Sequence, residues 1–308
     1  MGLSTSEVEL LACPECRVGL DASGVRFVDE VLEGGAFRCA ECGRRYEVRR
    51  GIPFFAPWAD DLSRAEDRPT AFATWARAHA HYRDWHEHRW NAEGARRARP
   101  LFDAFWAFAG AVEGCGVDIG GGRSLNREWN PKAQIWSVDP ESSWVLDPPP
   151  KFMASMYRCW DQPFPFVQAV GERLPLKARA FDFAIIQGAL DHVADPEAVI
   201  AEARRVLRPG GTLWLMVTTA DLEREVPRLA MMRRHFARAR RNPRQLLIQG
   251  PVRFFSEDEE AIEHGHVSAK ALTRANLDTW LSTYRDKGMK EVSIDGMRQL
   301  FVRASRPE

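Results

Sequence analysis

A doubly wound α/β domain behind a small, metal-stapled, β-rich module is the architecture this 308-residue sequence predicts. Two observations carry it. Two Cys-x-x-Cys pairs stand near the start, and short apolar strands alternate with helical stretches from residue 113 onward. Apolar residues make up 45% and charged residues 28%, a globular balance with enough apolar surface for a full core. Lys+Arg and Asp+Glu number 43 each, which excludes a molecule that is basic over its whole surface, though not a local patch. No apolar run approaches the ~18 residues that cross a bilayer. The opening Met-Gly-Leu-Ser-Thr-Ser-Glu lacks the layout of a secretory signal, so a soluble, cytoplasmic protein without membrane partners is expected.

The first module spans residues 1–58. Cys13-Pro-Glu-Cys16 and Cys39-Ala-Glu-Cys42 are separated by 22 residues. Each Cys-x-x-Cys turns two thiolates to one side, and two such knuckles close a tetrahedral S4 shell that suits Zn²⁺. Cys13, Cys16, Cys39 and Cys42 are therefore the expected ligands. The competing readings are disulfides, disfavoured in a reducing compartment, and a redox pair, which needs one Cys-x-x-Cys in a βαβ setting. With four protein ligands no coordination position stays open, so the zinc is expected to be structural. Strands are expected at Val25–Val28 and Tyr46–Val48, and Cys115 and Cys159 as packed thiols.

Residues 59–112 read as a polar linker followed by aromatic helix. Phe72, Trp75, Tyr82, Trp85 and Trp90 are interleaved with His79, His81, His86 and His88. Together with 101–109, this segment is expected to cap a substrate pocket, where aromatic rings with polar tips are useful.

The chemistry is densest in residues 113–308. Gly116-Val-Asp-Ile-Gly-Gly-Gly-Arg-Ser124 is a strand entering a glycine-rich turn, with a helix expected to follow. A second strand, 133–138, ends in Asp139, ~20 residues on, where a carboxylate can meet a ribose diol. Strands follow at 167–170 and 181–186, then helix 196–207, the turn Arg208-Pro-Gly-Gly211 and strand 212–217. Residues 223–246 hold a basic insert, with eight arginines against one glutamate between 224 and 244. Val226, Leu229, Met232 and Phe236 recur at helical spacing, so its basic face is expected to be a lid, an RNA contact or simply solvated. The chain closes with helix 272–287 and strands 291–294 and 300–304.

Two resemblances sharpen these expectations. Leu11-Ala-Cys-Pro-Glu-Cys16, Phe37-Arg-Cys-Ala-Glu-Cys42, Tyr46 and Arg50-Gly-Ile-Pro-Phe54 resemble the small zinc-binding activator proteins of tRNA, rRNA and protein methyltransferases. Those modules act as allosteric or solubilising partners. Val117-Asp-Ile-Gly-Gly-Gly122, Val138-Asp139, Gly171-Glu-Arg-Leu-Pro175, Phe181-Asp182, Ala189-Leu-Asp-His-Val193 and Arg205-Val-Leu-Arg-Pro-Gly-Gly211 resemble the class I S-adenosylmethionine-dependent methyltransferases, in their ubiquinone-biosynthesis-like branch. That resemblance implies a Rossmann-like sheet of seven strands ending in an antiparallel hairpin. It also implies S-adenosylmethionine as cofactor, with Asp118, Gly120, Gly121 and Gly122 shaping the cofactor turn and Asp139 on the ribose. Gly171, Glu172 and Leu174 would line adenine, and Gln187 would close strand four against the methionine portion. Ser124 stands where the family usually has the last glycine, and Val170 where it often has an acid.

Methyl transfer is an in-line displacement at a sulfonium, so alignment of the acceptor is the main requirement. A hydroxyl acceptor also needs a base. Asp191 and His192 follow strand four at the carboxyl edge of the sheet, which makes His192 the first candidate. A structural histidine bonded to a backbone carbonyl is its competing reading. His266, or its neighbour His264, is the second candidate. No Asn-Pro-Pro-Tyr or Asp-Pro-Pro-Tyr follows strand four, and the Pro-Cys pair of cytosine-C5 enzymes is missing, so nucleobase and glutamine acceptors lose weight. The expected activity is methylation of a small natural-product or glycan intermediate at oxygen. An RNA methyltransferase using the arginine-rich helix ranks second, and a non-catalytic partner of another enzyme third.

Overall fold

The computed structural model describes residues 2–60, 72, 73, 75, 76, 92–147, 151–220, 222, 240, 272–294 and 297–308. After a capped turn of helix, α1 (Thr5–Val8), the N-terminal module is built on β1 (Leu20–Asp21), β2 (Val25–Val28), β3 (Val31–Cys39), β4 (Arg45–Arg49) and β5 (Ile52–Pro53). The long β3 is its axis, pairing antiparallel with β1, β2 and β4. It was not legible as a strand because Gly34 and Gly35 interrupt its pattern. Gly35 has φ +101°, and a Cβ there would run into the backbone of Gly24. The glycine is thus what lets β2 and β3 lie together.

The main sheet follows the order β11-β12-β10-β9-β6-β7-β8. Its strands are β6 (Gly114–Ile119), β7 (Ala133–Asp139), β8 (Phe166–Gln168), β9 (Phe181–Gln187), β10 (Leu207–Val217), β11 (Arg285–Ile294) and β12 (Met297–Ser305), with the short helix α2 (Pro57–Asp60) ahead of the sheet and α4 (Ser143–Leu146) and α5 (Lys151–Met156) between β7 and β8. β6 to β10 pair in parallel, while β12 runs antiparallel to both β10 and β11. This is the expected seven-stranded α/β sheet with an antiparallel ending. Both faces are covered, which is why β7, β9 and β10 read as nearly continuous apolar runs. On one face α6 (Pro196–Val206) packs Val199, Ile200, Ala203 and Val206 into the same core as Val117, Ile119 and Leu215. Asp195 caps this helix and Pro196 takes its first position, as capping preferences dictate. On the other face α3 (Ala92–Ala109) buries Leu101, Phe105 and Trp106 against Phe183, Ile185, Met216 and Phe301.

Two seams join module and sheet. Phe54 bridges in parallel to Gln168 on edge strand β8. The fully buried Gln168 amide then accepts from the Ala56 N–H at 3.0 Å and donates to the Ala56 and Pro140 carbonyls at 2.8 Å. That closes an edge which would otherwise expose unpaired backbone groups. At the second seam Leu11 bridges to Leu176. Arg17, just after the first cysteine pair, donates to Glu202 at 2.8 Å and to the Leu174 carbonyl at 3.2 Å.

Three expectations need correction. The crossover between β6 and β7 holds no α-helix but one 3-10 turn, Leu125–Glu128. Buried Arg127 substitutes for helical hydrogen bonding there, donating to the carbonyls of Ser124, Arg123, Cys159 and Gln162. The third strand is Phe166–Gln168 rather than 167–170. The last helix is only α7 (Arg274–Trp280), because β11 already begins at Arg285 to match the length of β12.

Candidate active site

The carboxyl ends of β6, β7 and β9 open into a cavity of about 570 Å³. Glycine shapes its floor. Gly120 and Gly122 have φ of +72° and +51°, and a Cβ on Gly120 would collide with Ala189. Ser124 adopts the same left-handed conformation, φ 49°, which costs a side-chain-bearing residue about 1–2 kcal/mol. Its hydroxyl offsets that cost by donating to Asp118 Oδ2 at 2.8 Å, beside an Asn126 bond at 2.9 Å. Asp118 therefore braces the turn from below, and burial pushes its carboxyl up to about 6.

Asp139 lies on the cavity wall at the end of β7. It accepts from the Gly122 N–H and the Glu141 N–H, both at 2.9 Å, and burial outweighs those bonds to push it up to about 7. Gly121, Gly171 and Glu172 also line the cavity. Glu172 accepts from the Ala194 N–H at 2.8 Å and the Asp195 N–H at 3.3 Å, so its carboxylate ties this turn to the start of α6. Leu174 is wholly buried and is not among the lining residues. Gln187 lines the cavity and gives its amide N–H to the Met216 sulfur at 3.6 Å, while its buried Oε1 accepts nothing.

His192 is on the same wall, its side chain 24% exposed and its Nε2 3.9 Å from Asp191 Oδ1. Its backbone is held at both ends: the N–H donates to Ala189 at 3.0 Å, and the carbonyl accepts from the Trp75 indole at 3.0 Å. Trp75 and Phe102 supply aromatic surface to the cavity, so α3 contributes to the pocket while belonging to the core. His264, His266 and, apart from Arg240, the arginine-rich segment lie outside the described residues.

Sequence reasoning missed Arg123, Glu141, Trp144 and Trp160, all on the cavity wall. Arg123 lies 4.8 Å over the Trp160 ring and donates to the carbonyls of Trp144 and Trp160. The available signal was an arginine inside a glycine turn, a place where a large side chain needs a purpose-built cover.

In the N-terminal module the four cysteine sulfurs lie within 4.8 Å of one another, with Cys13 Sγ and Cys42 Sγ 3.8 Å apart. A tetrahedron with Zn–S bonds of ~2.3 Å has S···S edges of ~3.8 Å. Burial opposes ionisation of Cys13, but bonds from the Tyr46 hydroxyl at 3.1 Å and nearby backbone N–H groups outweigh it and bring the thiol down to about 7. These sulfurs can hold a metal ion.

Residues 117–215 match the family described as "Methyltransferase domain". Over 103 residues the chain is 34% identical to an uncharacterized 37.1 kDa protein in a transposon of Streptomyces fradiae, covering 32% of this chain and 26% of that protein. The chain thus spans about a quarter of the length of that curated relative. Among solved structures, 1,6-didemethyltoxoflavin-N1-methyltransferase of Burkholderia thailandensis is similar at 18% identity, with 90% of this chain and 100% of that one covered and a TM-score of 0.48. Phosphoethanolamine N-methyltransferase 2 of Haemonchus contortus is similar at 9% identity, covering 74% and 60%, with a TM-score of 0.46.

Proposed function

We propose that this protein transfers the methyl group of S-adenosylmethionine to an oxygen of a small-molecule acceptor, a natural-product or glycan intermediate. One observation carries the reading: the glycine turn, Asp139, the unmatched Gln187 acceptor and His192 share a single aromatic-walled cavity. These residues fit the cofactor. Gly120 and Gly122 leave the backbone bare where a Cβ would fill the floor. Asp139 would accept from the ribose hydroxyls, and Gln187 Oε1 would accept from the ammonium of the methionine portion. The cofactor supplies an activated methyl on a sulfonium. The chain has to hold an acceptor in line with it and exclude water, for which Trp75 and Phe102 provide apolar walls.

His192 would accept the proton of the attacking hydroxyl at its imidazole, and Asp191 nearby would favour the charged ring that results. We further propose that Cys13, Cys16, Cys39 and Cys42 hold a structural zinc ion, because a module this small buries too little apolar surface to hold its fold unaided.

The test uses methyl-labelled S-adenosylmethionine with a host extract separated into RNA, protein and small-molecule fractions. Label in the small-molecule fraction supports the proposal. Label in RNA transfers the activity to the second-ranked substrate class and overturns the small-molecule assignment.

A further inference from the structure

A second cavity, of about 490 Å³, lies where the N-terminal module meets the main sheet. Among the described residues Val170 is the one on the walls of both cavities, so this is a separate space beside the cofactor cleft. Its charges do not balance. Glu15 accepts from Arg173 at 2.8 and 2.9 Å and from Arg44 at 3.1 Å, one carboxylate between two guanidiniums. Glu47 is already drawn to Arg49, which donates to it twice at 2.8 and 3.1 Å. Arg45 lines the same cavity, is exposed, and its guanidinium makes no hydrogen bond or ion pair among the described residues. Among the described lining residues three guanidiniums, Arg44, Arg45 and Arg173, thus stand against two carboxylates, contributed from both sides of the junction.

The opposite wall is aromatic. Trp58 is half-buried, packed with ring centroids 4.8 Å from Phe72 and 6.0 Å from Trp75. We propose that this junction cavity binds an organic phosphate monoester that carries a planar ring. A phosphate monoester brings about −1.5 to −2 charges at neutral pH, for which three guanidiniums at one cavity are suited. Guanidinium groups are the side chains that meet phosphate oxygens with two parallel bonds. The ring would lie against Trp58, since base-on-aromatic stacking is favourable and tolerant of the ring's identity. Occupancy reaches the cofactor cleft through contacts already described, because Trp58 touches Trp75 and Trp75 holds the His192 carbonyl.

The site stands independently of the acceptor assignment. Its test is isothermal titration of the full chain, first saturated with S-adenosylhomocysteine so that the cofactor cleft is closed to the probes. The probes are adenosine monophosphate, phenyl phosphate and inorganic phosphate. Both organic phosphates bind, and inorganic phosphate binds roughly tenfold or more weakly because it lacks the ring. Arg45→Glu weakens adenosine monophosphate roughly tenfold or more, as loss of a charge-assisted bond implies. The same variant leaves its affinity for S-adenosylhomocysteine and its melting temperature unchanged. Trp58→Ala removes the preference for the organic phosphates. Full displacement of adenosine monophosphate by S-adenosylhomocysteine, equal affinity in Arg45→Glu, or equal binding of inorganic phosphate would each overturn the proposal. A chain that fails to bind S-adenosylhomocysteine speaks against the cofactor assignment instead, and the Arg45→Glu comparison still decides this one.

Discussion

The indole N–H of Trp75 donates to the backbone carbonyl of His192 at 3.0 Å. A residue from the aromatic segment ahead of the sheet thus fixes the turn that follows β9, across a sequence separation of 117 positions. Both residues face the same cavity, so one bond sets the acceptor wall and the candidate base relative to each other.

Trp75→Phe keeps an aromatic ring and removes the donor. Loss of one such bond costs about 0.5–1.5 kcal/mol, so methyl transfer should fall roughly two- to twelvefold. Cofactor affinity should stay as it was, because Trp75 would act only through the position of His192. Parallel measurement of turnover and S-adenosylhomocysteine binding checks this; a matching loss of binding would make Trp75 a general packing residue.

Ser124 separates conformational cost from hydrogen-bond gain. Ser124→Ala keeps the left-handed strain and deprives buried Asp118 of a donor, with an expected loss of about 1–3 kcal/mol. Ser124→Gly loses the same donor but relieves about 1–2 kcal/mol of strain, so it should be the more stable of the two. Urea unfolding of both variants gives the order, and the reverse order would refute the offset argued here.

Asp139 predicts a pH dependence whose sign is fixed by its raised carboxyl. The folded protein keeps a proton that the unfolded chain releases, so this group's stabilisation is complete below its ordinary value of 3.8 and is lost as pH rises through about 7. Asp139→Asn cannot titrate. Relative to the wild type, its melting temperature should therefore gain on going from pH 5 to pH 8. Cofactor binding in the wild type should move the other way, tightening above pH 7 as the carboxylate becomes available to the ribose hydroxyls. A pH-independent affinity would remove Asp139 from that role.

The cysteine cluster predicts about one zinc per chain by elemental analysis, and its loss in Cys39→Ser. Removing the metal with a chelator should unfold the module and weaken cofactor binding. The mechanical reason is local: Glu15 and Arg17 flank Cys16 and bond to Arg173 and Leu174, either side of which the chain lines the cleft or turns away from it. Arg17→Ala in the zinc-loaded protein should reproduce a smaller part of the cofactor effect without metal loss.

Much of this was readable in the sequence because it depends on local pattern. The cysteine spacing brings four sulfurs together, since each Cys-x-x-Cys is one tight turn. Apolar runs marked β6, β7, β9 and β10, because strands covered on both faces must be apolar throughout. The glycines of the turn and Asp139 were placed by their distance from those runs. Apart from Arg240, the basic segment 223–246 falls outside the described residues, as does His266, so their roles stay where the sequence left them.

What tertiary structure alone decided was contact between distant segments. No spacing rule announces that Arg127 would replace a helix by gathering four carbonyls, or that Gln168 would suture the module to the sheet edge. Nor does any announce that Glu15 would stand between arginines 29 and 158 positions away. Sequence periodicity reports which face of an element is buried; it carries nothing about which partner buries it. Both cavities, and the charge left over in one of them, exist only because separate elements meet there. That is why composition and motifs determined the class of chemistry, while the shape and charge of the binding surfaces had to come from the packed fold.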